Sequence, residues 1–289
     1  DQLVALAPIT ATDTYTLYYT SAAPAATGLD AHTVLTPGVQ TLNISATNSL
    51  VLFPLEVSLE WDGRSDAAFL EQLNFDLRRA SEFLYDWSNG QVALGAIHIY
   101  HAREHWDTAA VRIYASNRMR PSAIQGGVTR ARISDPANAA LFYEPGQVRL
   151  GASWTRFGEA GSTLAEDWPR ALAHELGHYL LYLDDNYLGF DAAGTLIPVD
   201  TCSGAMADPY RGDFPYDEFH AADAAWTADC SATLSQQRTA RSDWATLSTF
   251  YPLHFSVNVG PATLPLAVTQ VYWHTPVTPT AALADPTFY

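Results

Sequence analysis

The chain has 289 residues, 48 % of them apolar, enough for one large domain or a medium domain with small additions and too apolar for disorder. Its net charge is −16 and every basic residue is an arginine, so there is no basic patch for nucleic acid and an anionic membrane surface is disfavoured. No apolar run approaches the roughly 20 residues that cross a bilayer, and the longest, Leu50 to Val57, is broken by Pro54.

Residues 1–50 are rich in Thr, Ala, Ser, Pro and Gly. Strand-like runs at Tyr15–Tyr19 and Thr41–Ser45 are separated by turn clusters, which reads as a β-rich N-terminal segment. From Val51 the pattern changes. Leu55–Trp61 alternates as a half-buried strand does. Asp66–Trp87 is predicted to be a long amphipathic helix, with Phe69, Leu73, Leu77, Ala80 and Leu84 at helical spacing and Ser88-Asn89-Gly90 as its stop. Strands are predicted at Gln91–Tyr100, Val111–Ala115 and Gln147–Trp154. A second helix follows from Asp167, with Pro169 in its first turn, to about Leu183. A last helix is expected at Ala240–Tyr251, closed by Pro252, and strand-like runs at Leu253–Val259 and Leu264–Tyr272. This order implies an α+β fold with one twisted sheet and two long helices. Three parts are expected: 1–50 as a β-rich segment, 51–252 as the main domain and 253–289 as a β-rich tail.

The chemistry is concentrated in Ala171-Leu172-Ala173-His174-Glu175-Leu176-Gly177-His178. On a helix, residues four apart share a face, so His174 and His178 can aim two imidazoles at one metal. Leu172, Leu176, Leu180 and Leu183 fall on another face and can bury against the sheet. Neutral imidazole suits zinc, and a catalytic zinc keeps three protein ligands and a water. Glu175 is placed to take a proton from that water, whose pKa zinc lowers from about 15.7 to near 7. A zinc-dependent hydrolase is the reading these residues support.

The stretch His174 to Asp184 resembles the metzincin clan of metallopeptidases, whose pattern is H-E-x-x-H-x-x-G-x-x-H or -D. The resemblance implies a secreted endopeptidase with a protein or peptide substrate, a twisted mixed sheet, and Asp184 as third zinc ligand, as in the snapalysin-like branch. Leu181 stands where the clan has Gly, so the chain must turn in an unusual conformation or at another place. Asp185 is the nearby substitute ligand, and Asp217, Glu218 and His220 are more distant ones. Thr201-Cys202-Ser203-Gly204-Ala205-Met206-Ala207 looks like the Met-containing turn beneath the metal. Arg241 to Pro252 is similar to the C-terminal helix of matrixin-like members. By the same resemblance, Gln147–Trp154 would be the sheet edge that lines the cleft, and Tyr210 would help to wall a pocket.

Other features carry competing readings. His101-Ala102-Arg103-Glu104-His105 reads as the inverted zincin motif, and with His98 it could hold a second metal, but the segment follows a strand and has no apolar helical pattern. Asp184, Asp185, Asn186 and Asp191 could bind calcium through oxygen, although they do not fit an EF-hand loop. Cys202 and Cys230 are either two buried thiols or one disulfide, and the disulfide fits an oxidising compartment. Another class remains: an adhesin or binding module on a zincin fold, with zinc structural or lost. Glu175 discriminates, because a purely structural site needs no general base.

Overall fold

The computed structural model describes residues 2–21, 29, 32–155, 166–207, 218–255, 264–265 and 268–275. Among them the strands are β1 (Gln2–Leu3), β2 (Leu6–Ala11), β3 (Thr16–Ser21), β4 (His32–Thr33), β5 (Ile44–Leu59), β6 (Val92–Tyr100), β7 (Val111–Tyr114), β8 (Ser122–Ala123), β9 (Ile133–Ser134), β10 (Phe142–Tyr143), β11 (Val148–Gly151), β12 (Leu188–Phe190), β13 (Leu196–Pro198) and β14 (Gln270–Trp273). The helices are α1 (Ala67–Trp87), α2 (Asp167–Leu181), α3 (Ala224–Asp229), α4 (Leu234–Thr239) and α5 (Asp243–Phe250). The class is α+β with a mixed sheet.

The central sheet has the order β14-β6-β5-β7-β11-β8, with β3 attached to the first half of β5 and β2 to β3. β5 is long because it serves different neighbours along its length. Its first half pairs antiparallel with β3, its last residues pair in parallel with β7, and β6 runs parallel along its other edge. The core lies between this sheet and the helices. Leu55, Val57 and Leu59 alternate inward on β5, Ile97 and Ile99 on β6, and Val111 and Ile113 on β7, against Leu73, Leu77 and Leu84 of α1 and Leu172, Leu176 and Leu180 of α2.

Local chemistry sets the helix ends. The Asp66 side chain accepts from the Phe69 N–H and caps α1, and Asn89 and Gly90 with positive φ stop it. The Trp168 indole N–H donates to the Gly151 carbonyl at 2.8 Å, which docks the start of α2 on β11.

The structure departs from the expected layout in three places. The division between residues 50 and 51 runs through β5, and β14, beyond residue 252, is a strand of the same central sheet. The flanks therefore extend that sheet. Leu253–Phe255 forms no strand, and residues 256–259 lie outside the described part. The Gln147–Trp154 segment is a sheet edge only in part: β11 pairs with β7 on one side, and β8 covers Val148 and Arg149, but not Leu150 or Gly151, on the other.

Candidate metal centre

α2 carries His174 and His178 one turn apart, both buried. The Nδ1 of His174 lies 3.2 Å from the Ala205 carbonyl, and that of His178 lies 2.8 Å from the Leu183 carbonyl. A carbonyl can only accept, so each Nδ1 carries a hydrogen, and in the neutral ring Nε2 is the atom left with a lone pair for a metal. The two Nε2 atoms are 3.2 Å apart. The Asp185 Oδ1 completes the group, 3.1 Å from His174 Nε2 and 3.0 Å from His178 Nε2. Two lone pairs and a carboxylate oxygen thus converge on one point, an arrangement that a cation or a proton reconciles. This donor set of two imidazoles and one carboxylate fits zinc.

The electrostatics agree. Burial opposes charge on His178, yet the Asp185 carboxylate raises its pKa to about 10. Burial also pushes Asp185 upward, but His178 and His174 outweigh it and hold the carboxyl well below the usual range. The spot thus favours positive charge. Glu175 feels the same group from the side. Burial raises its pKa, and His178 and His174 oppose that shift.

Asp184, the position that the clan pattern puts on the metal, does not join this group. Its buried carboxylate pairs with Arg238, which also donates to the Gln125 Oε1 at 3.1 Å. The reason lies in the helix end. α2 continues through Leu181, and the left-handed residue is Tyr182, with φ 63° and ψ 17°. The turn comes one residue later than the clan's Gly, and the carboxylate brought back to the histidines is also one residue later. Tyr182 is held in this uncommon conformation by its partners. Its ring stacks on Phe250 at 3.8 Å and meets Tyr143 edge-on, and its carbonyl accepts from Gln125 at 2.8 Å.

Met206 is fully buried under the helix. A Cβ added to Gly177 would stand 2.7 Å from the Met206 sulfur, so a helical glycine is what lets this turn approach. The Asn186 N–H donates to the Met206 carbonyl at 2.7 Å, and the Asn186 side-chain amide donates to the buried carboxylate of Asp243 at 3.0 Å. Asp243 also accepts from the His220 backbone N–H at 2.9 Å. These contacts lock the segment after Asp185 to α5. The sequence reading did not flag Arg238, Gln125, Asn186 or Asp243 for this role. Their partners are remote in sequence, and no periodic pattern marks them.

The remaining candidates lie elsewhere. His220 sits against Trp226 and 3.5 Å from Ser203 Oγ, and the Glu218 backbone carbonyl accepts from the Ala205 N–H. Asp217 and Tyr210 lie outside the described residues. Cys202 and Cys230 form a disulfide, so they offer no thiolate to His220 beside them. The oxygen ligands suggested for calcium are directed apart: Asp184 to Arg238, Asp185 to the histidines, Asn186 to Asp243, and Asp191 to the Ala193 and Thr195 N–H groups of its own turn. No described helix is long and apolar enough to cross a membrane. Comparison of the chain with protein-family models, curated proteins and solved structures gives no match.

Proposed function

We propose that the chain is a secreted zinc-dependent endopeptidase with a metzincin-like core. The observation that carries this reading is the convergence of His174 Nε2, His178 Nε2 and Asp185 Oδ1, with Glu175 beside the first histidine on the same helix. When bound, zinc would supply Lewis acidity for the scissile carbonyl and would bring the pKa of a water toward neutrality.

The chain's own residues divide the remaining work. His174, His178 and Asp185 would hold the ion, and the Ala205 and Leu183 carbonyls fix the ring orientations through Nδ1. Glu175 takes a proton from the attacking water and delivers it to the leaving amine. Burial raises its pKa, which brings it closer to that of a base working near neutral pH. Met206 and Gly177 set the floor under the first turn of ligands. The Cys202–Cys230 disulfide supports an extracellular setting.

The test is digestion of casein or a peptide library by the zinc-supplemented full chain, with and without a strong chelator. Cleavage should stop with chelator and return with zinc. A zinc-replete protein that cuts neither substrate overturns the peptidase assignment and favours a binding module.

A further inference from the structure

A second histidine group lies on the face of the sheet away from α1 and α2. Ile97 and Ile99 of β6 point into the core, so the alternating His98 and Tyr100 point outward. β14 runs parallel to β6 with Tyr272 opposite His98, and the His274 N–H continues the pairing to the Ile99 carbonyl at 2.9 Å. This brings His98 Nδ1 and His274 Nε2 to 2.8 Å. Aromatic neighbours hold both rings. Tyr272 stacks on His98 at 5.1 Å and 17°, and Tyr100 stacks on His274 at 4.5 Å and 16°.

Two carboxylates lie in the neighbourhood of the pair. Glu56 is the register partner of His98 on β5. The Glu104 Oε2 is enclosed and lacks a hydrogen-bond partner, while the Glu104 carbonyl is fixed by the Ser58 hydroxyl at 2.7 Å. Burial raises the Tyr100 pKa, and the charges of Glu56 and Glu104 raise it further, which places both carboxylates in its neighbourhood. The nearby guanidinium groups are engaged elsewhere, Arg103 with Glu60 and Arg112 with Asp107. The loop carrying Glu104 has positive φ at Ala102, Arg103 and His105, none of them glycine, a form of strain that gathers at functional sites.

We propose that His98 and His274 form a second metal site, for a divalent transition ion of imidazole preference (Cu2+, Ni2+ or Zn2+), that fastens β14 to β6. Paired imidazoles are the donors these ions select over Mg2+ or Ca2+. Two imidazole nitrogens bound side by side on one ion, at about 2.0–2.1 Å each, stand about 2.9 Å apart. The neighbouring carboxylates supply the negative charge that a dication needs. The site shares no residue with the α2 group, so it stands or falls independently of the peptidase reading. A single N–H···N hydrogen bond would also bring the rings this close, and the experiment separates the two.

Cu2+ is added to the full chain already given one equivalent of Zn2+, and binding is followed by calorimetry and by nitrogen couplings in the electron paramagnetic resonance spectrum. One Cu2+ per chain coupled to two imidazole nitrogens is expected. His98→Asn and His274→Gln keep a hydrogen-bonding side chain. Each should lose one coupling and weaken Cu2+ by about tenfold or more. Circular dichroism confirms that the variants are folded. Cu2+ should raise the melting temperature of the parent chain but not of either variant. If both folded variants bind Cu2+ as the parent does, the site is refuted and the pair is a hydrogen bond only.

Discussion

His174 to His178 and His101 to His105 contain the same ingredients, two histidines four residues apart with one glutamate between them. The structure gives them different fates. In α2 an unbroken helix puts both rings on one side, backbone carbonyls fix their Nδ1 atoms, and the two Nε2 atoms meet. In the second segment Ala102, Arg103 and His105 have φ between 55° and 63°, so no helix forms. His101 turns inward, where its Nδ1 accepts from the Gly63 N–H at 3.3 Å and burial pushes its pKa down. His105 stays on the surface against Tyr100. A four-residue spacing has chemical meaning only when the backbone has 3.6 residues per turn. The apolar residues around His174 provide that frame. The segment after β6 has no such pattern and leaves its motif as letters alone.

The most severe way to break this comparison is to neutralise one glutamate in each segment. Glu175→Gln should keep zinc and lose hydrolysis by about 10²–10⁴-fold. Glu104→Gln should leave turnover unchanged. Equal losses in the two variants, measured as kcat/KM with metal content checked, would mean that the helical frame is not what distinguishes them.

Asp184 and Asp185 sharpen the same point at the helix end. Asp185→Ala should weaken zinc more than about 100-fold, beyond the usual cost of an outer-shell change. Asp184→Ala should retain zinc. It leaves Arg238 without its carboxylate and should cost about 2–3 kcal/mol in urea unfolding, less than a fully enclosed pair because Arg238 is 29 % exposed. Zinc loss in the Asp184 variant alone would put the clan's ligand position back on the metal.

This one-residue shift shows where the sequence stops being legible. The path from Asp66 to Trp87, the strands around Ile97 and Ile113, and the helix beginning at Asp167 follow from apolar periodicity and end signals, which are local. The pairing of His174 with His178 is equally local. The identity of the third carboxylate depends on a tyrosine taking a left-handed turn. Its support comes from Phe250 and Gln125, each more than 50 residues away, and no rule of spacing expresses that. The resemblance implied that β11 is an edge, and β8, only two residues long, has no alternation in the sequence that would have shown it covering Val148 and Arg149. The run through β5 hid the continuity of the flanks for a similar reason. One strand pairs with different partners along its length, while a change in composition near residue 50 suggests a boundary.

A buried acid on α1 separates burial from metal geometry. Asp76 on α1 is buried, and its carboxylate accepts from the Gln72 amide at 2.9 Å rather than facing a histidine. Burial raises its pKa from 3.8 to about 6, against the smaller opposing effect of Gln72. The folded chain therefore holds more proton at this site than the unfolded chain between about pH 4 and 6. The contribution is fully present below 3.8 and is lost as pH rises through 6. The ceiling is about 3 kcal/mol, and solvent screening brings the expected effect nearer 1–2 kcal/mol. Asp76→Asn keeps a hydrogen-bond acceptor for Gln72 and cannot ionise. It should stabilise the chain by that amount at pH 7.5 and by much less at pH 4, with zinc content the same as the parent's at either pH. A urea midpoint that moves equally at both pH values would assign the effect to packing. Loss of zinc in the same variant would show that acids on α1 and α2 are coupled through the core, and that the two glutamate segments differ by more than the shape of their backbone.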